Sequence, residues 1–146
     1  TLQWDRSVGQ IKPSWIGIDE RHHDMSHEDG KYEQQLVELN RWFAKQYAYL
    51  VEKLDSVDEP NGEGTLLDHS IVLWCNELGD GSRHSRNDMP FILAGGGGGH
   101  FKTGHYLRID KPHNDLLVSL CDSMGLQQTN FGDSRFCNGP MTELEA

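Results

Sequence analysis

The 146-residue chain carries a formal net charge of −10, with 25% charged and 36% apolar residues. That balance belongs to a globular chain long enough for one core, and length alone favours a single domain. It excludes a nucleic-acid backbone as partner, since no basic stripe exists to displace counterions, and no apolar run approaches the ~20 residues of a bilayer span.

Residues 1–13 read as irregular, closed by Pro13. Ser14 to Asp19 (SWIGID) predicts a short strand that stops at a carboxylate. From Lys31 to Leu54, Tyr32, Leu36, Leu39, Phe43, Tyr47, Leu50 and Leu54 recur at spacings of four and three. That period paints one apolar stripe along a helix of about 36 Å, with Ser26 or Asp29 as its N-cap. Pro60, Asn61 and Gly62 break it in an acidic turn. SIVLWC (Ser70–Cys75) and MPFILA (Met89–Ala94) are apolar at nearly every position, the pattern of parallel strands covered on both faces. His105 to Ile109 predicts an edge strand, and Asn114 to Met124 an amphipathic helix stopped by Gly125. Cys75, Cys121 and Cys137 lack metal-like or redox-like spacing, and the first two read as buried thiols.

Strand, helix, strand, strand, helix describes part of a three-layer α/β/α sandwich with a mostly parallel sheet. The expected core runs over about 14–126 of a single domain spanning 1–146, with 127–146 as a polar tail. Only two or three strands are legible where such a sheet has five or so. Together with the start at Thr1, this leads to the expectation of a C-terminal piece of a larger domain.

Sites in open α/β sheets gather at the carboxyl ends of strands. Three of the chain's eight histidines, His22, His23 and His27, fall within six residues just past Asp19. Asn76-Glu77 ends the next strand and leads through Gly79-Asp80-Gly81 to His84. If those loops are neighbours, Asp19, His23, Glu77 and His84 converge as two carboxylates and two imidazoles, a donor set suited to a divalent cation such as Zn, with Ca, Mg or Mn as alternatives. His27 is then an acid/base group beside the ligands. The plainer readings are a pairing of Glu77 with Arg83 or Arg86, a turn at Asp80, and helix capping by Ser26. Gly95 to Gly99 fails the P-loop pattern, because His105 stands where Lys is needed, and reads better as a flexible connection or close backbone packing.

HDMSHE (His23–Glu28) resembles the His-x-x-Ser-His-His signature of a bacterial family of unknown function, with Glu28 in place of the last His. GTLLDHSIVLWCNELGDGSRHS (Gly64–Ser85), MPFILAGGGGG (Met89–Gly99), HNDLLVSLCDSMGL (His113–Leu126) and FGDS (Phe131–Ser134) are similar to that family's later blocks. The family in turn resembles the alkaline phosphatase and sulfatase superfamily. The resemblance implies an exported, metal-dependent hydrolase of phosphate or sulfate esters, acting on a small-molecule or polysaccharide ester. Asp19 and His23 would match its first ligand group, Glu77 its second, and His84 its later His. Asn76-Glu77 stands where an Asp-His pair is expected, and no residue here matches the nucleophile. The alternatives are a non-catalytic exported binding or structural domain, or one subunit of an assembly whose sheet is completed by the missing N-terminal portion or another chain.

Overall fold

A computed structural model describes residues 9–146; most of the irregular segment expected at 1–13 therefore lies outside the described residues. The chain divides into two compact units, one of residues up to Leu50 together with Leu73–Ile92, the other of Val51–Val72 and Leu93–Ala146. Among the described residues there are three α-helices, α1 (His22–Ser26), α2 (Glu33–Asp55) and α3 (His113–Ser123), and two four-residue strands, β1 (Val72–Cys75) and β2 (Phe91–Ala94). The strands pair antiparallel in a two-stranded sheet. This corrects the expected fold class: among the described residues there is no parallel multi-stranded sheet, and no three-layer α/β/α sandwich of the alkaline phosphatase kind. The absence of alternation was a poor guide, because an apolar hexapeptide specifies neither strand direction nor how many strands accompany it.

Two further strands are also corrected. Ser14–Ile16 is a single 3-10 turn, closed by Gly17 at φ 79°. Pro13 explains the difference. Its carbonyl accepts the amides of Ile16 and Ile18, so the segment folds back on itself instead of pairing with a neighbour. His105–Ile109 forms no strand, and Tyr106 within it is 91% exposed.

In the first unit, Ile18, Met25 and Leu39 form the buried cluster, flanked by Ile16, Tyr32, Leu36 and Phe43. The stripe on α2 therefore works over its N-terminal half, whereas Leu50 is exposed. Trp42 packs on Trp15 at 5.1 Å between ring centroids, and Tyr47 lies beside Trp74 at 5.9 Å. Neither expected N-cap is used. The Ser26 hydroxyl donates to the His23 carbonyl, and Asp29 faces Arg83.

In the second unit, Phe101, Leu116, Val118 and Met141 are buried. α3 ends as its sequence predicts, with Gly125 at φ 77°. The Leu126 amide donates to Cys121 O, and the Gly125 amide to Asp122 O, which is the Schellman pattern. The tail is more than a polar wrap. Asp115 and Ser119 of α3, both buried, accept hydrogen bonds from the backbone amides of Asn138 and Met141, each at 2.7 Å. Lys111 and Glu143 add an ion pair at 2.5 Å.

The glycine run in this unit is close backbone packing. Gly95 is buried at φ 90°, and a Cβ there would lie 2.2 Å from Ser70 O. The amides of Gly97 and Gly98 donate to Ser70 O and Asp68 O, so they are already engaged. Cys75 is exposed, which corrects its reading as a buried thiol; Cys121 is half-buried.

Candidate functional site

The residues singled out for chemistry lie in the first unit, on α1 and the segments flanking it and on the loop that follows β1. α1 places His23 and, one turn on, His27 along one face, the spacing at which helical side chains meet. Their ring centroids are 4.7 Å apart and nearly perpendicular. The loop after β1 brings in the third ring. His84 lies 5.0 Å from His27, again edge to face.

A tight turn over 79–85 positions His84. The amides of Gly79 and Asp80 both donate to Ser85 O, and the Ser85 amide returns a bond to Asp80 O. Asp80 accepts from the Arg83 amide at 3.0 Å and from its guanidinium at 2.6 Å. Those two bonds, the amide first, hold the Asp80 carboxyl below its usual range. The ion pair raises Arg83 in turn. Asp80 is thus the turn residue its glycine neighbours suggested. His84 takes φ 51°, a left-handed conformation uncommon outside glycine, and that sends its ring toward α1. Gly81 permits the approach, since a Cβ there would stand 3.2 Å from Ser26 Cβ. Arg83 reaches Asp29 beyond α1 at 3.8 Å, a second tie between the same elements.

The rest of the expected ligand set is not shown in this cluster. Asp19 is exposed and lines a recess of ≈ 130 Å³ with Glu20, Met25, Tyr32 and Gln35. No strand precedes it, so no sheet rim aims its carboxylate. Glu77 is exposed in the loop after β1, and the Arg83 it was expected to engage pairs with Asp80 and Asp29. Among the described residues, no group of three or more His, Cys, Asp or Glu side chains is arranged to hold a metal ion. No metal-binding site of the alkaline phosphatase and sulfatase kind is therefore found among the described residues, which corrects that expectation.

Of the other histidines, His69 bonds through Nε2 to Glu63 O at 2.9 Å, and His100 packs edge to face on Phe101. Sequence reasoning missed Asp115 and Ser119 as anchors of the tail. Their positions on the apolar face of α3 were the available signal, since buried polar groups are kept where they are hydrogen-bonded.

No family model, no curated protein and no solved structure matches this chain. No helix of the described residues is long and apolar enough to cross a membrane.

Proposed function

We propose that this chain is a structural and binding unit of a larger assembly, its two-stranded sheet continued by strands from other polypeptide. One observation carries the reading. β1 and β2 are apolar at every position, yet none of their eight residues is buried, and Ile92 is 46% exposed. Strands of that composition are stable when both faces are covered. A two-stranded sheet is marginal alone, and its free edge groups template further pairing. Sedimentation tests this directly: the expected species is heavier than the 16.6 kDa chain, and Ile92→Lys returns it toward the monomer with helix content unchanged. A wild-type chain that stays monomeric over a wide concentration range, with its strand amides fully protected from exchange, ends the reading.

The convergence of His23, His27 and His84 favours a second reading, hydrolysis of a phosphate or sulfate ester. Imidazoles supply a proton acceptor and a donor near neutral pH, and two of these three rings are solvent-accessible. Turnover of aryl phosphates or sulfates that is lost in both His27→Ala and His84→Ala supports it. Turnover equal to buffer dismisses it. Elemental analysis of the gently purified chain for Zn, Ca, Mg and Mn is the direct check on the ion that the resemblance implies.

A further inference from the structure

The chain contains two Asn-Gly steps, Asn61-Gly62 and Asn138-Gly139. At such a step the glycine nitrogen can attack the Asn side-chain carbonyl carbon, because no Cβ blocks its approach. The new N–C bond closes a succinimide as the side-chain amide nitrogen leaves with a proton as ammonia. The glycine nitrogen gives up its proton to a solvent base. Water then opens the ring at either carbonyl, leaving aspartate or isoaspartate. The reaction needs only water, but the Asn side chain must be free to swing onto its own backbone.

Tertiary structure separates the two steps. Asn138 is clamped: its amide donates to Asp115 Oδ1 at 2.7 Å, and its side-chain nitrogen faces Asp115 Oδ2 at 3.5 Å. Asp115 is 1% exposed, and Gly139 is buried. Asn61 sits at the tip of the turn after α2. It is exposed, and its side chain forms no hydrogen bond with the described residues. The Gly62 amide is held only by a 3.5 Å contact to Glu59 O.

The geometry points to Asn61 as a site of spontaneous deamidation and isoaspartate formation, with Asn138 protected by Asp115. Isoaspartate adds a methylene to a turn closed by the bond from the Glu59 amide to Gly64 O and by the Asp58–Thr65 bridge. It also adds a negative charge beside Asp58, Glu59 and Glu63. Conversion at Asn61 therefore loosens this turn.

Peptide mapping with isoaspartate detection, on native chain held at mildly alkaline pH, is the test. Asn61 is expected to convert faster than Asn138 by on the order of tenfold, equivalent to about 1.4 kcal/mol of local opening. In urea the two steps should convert at similar rates. Gly62→Ala should slow conversion at Asn61; its Cβ would crowd the flexible Glu59 side chain at 3.2 Å and meet the His69 ring at an ordinary contact distance of 3.6 Å. Asp115→Asn should quicken conversion at Asn138. Comparable rates at both steps in the native chain would overturn the inference. So would an Asn61 that survives natively over the time in which urea-unfolded chain converts.

Discussion

Alanine substitutions at Gly95 and Gly98 separate two costs that the glycine run combines. Gly98 has φ +69° and nothing within 4 Å of a built Cβ, so Gly98→Ala meets only the left-handed backbone. That costs about 1–2 kcal/mol, offset by about 0.4–1 kcal/mol from the reduced freedom of the unfolded chain. The net loss should be about 0–1.6 kcal/mol. Gly95 has φ +90°, and its Cβ would stand 2.2 Å from Ser70 O and 2.8 Å from Leu67 O. Those are backbone atoms, and they cannot swing aside like a side-chain end. Relief must pull the run away from 67–70 and stretch the bonds from the Gly97 and Gly98 amides, at about 1 kcal/mol each. With the backbone strain and the residual clash, Gly95→Ala should lose about 3–5 kcal/mol. That is a large part of the 5–15 kcal/mol typical of a domain, roughly speaking. Urea unfolding of the three chains, with m-values compared, gives both numbers. If Gly98→Ala loses as much as Gly95→Ala, close approach is not why glycine stands at position 95.

Other expectations follow from the same packing. Asp115→Ala leaves the Asn138 amide without its acceptor and should cost about 2 kcal/mol, with faster hydrogen exchange at Asn138. Ser119→Ala should do the same at Met141 at a cost of about 1–2 kcal/mol. The double variant should lose less than the sum, because both release one segment. Asp80 is depressed below its ordinary 3.8 by the Arg83 amide and guanidinium. Its contribution to stability is therefore present above that value and disappears as pH falls through the lower folded value. Arg83→Met should be slightly less stable than the parent at neutral pH, and the gap should close in acid, as read from unfolding curves at several pH values. His27→Ala, at an exposed position, should change stability by less than about 0.5 kcal/mol, so any effect on ester turnover reads chemistry.

Local structure was legible in the residues wherever a short-range rule applied. The spacing of Tyr32, Leu36, Leu39 and Phe43 specified α2, and Gly125 after an amphipathic segment specified the end of α3. Asp80 between glycines specified a turn, and the five consecutive glycines marked either a flexible connection or a close backbone approach, of which the structure shows the second. Each depends on contacts a few residues apart or on one residue's allowed dihedrals. The segments SIVLWC and MPFILA announced strands, because apolar β-formers bounded by turn residues have few other uses. They did not announce their direction, their number or their cover.

Those properties were decided by contacts that no spacing along the chain announces, some of them local and some between distant residues. Pro13 drew the amides of Ile16 and Ile18 to itself and removed the strand that was to carry Asp19. With no strand there, no sheet rim aligned Asp19 with Glu77, and the four-residue ligand set lost its geometric basis. Contact between the loops survived in another form, as His27 against His84. It depends on a left-handed His84 and on the missing side chain of Gly81, neither visible as a spacing along the chain. Periodicity reports which face of an element is apolar; only the packed structure decides what that face meets.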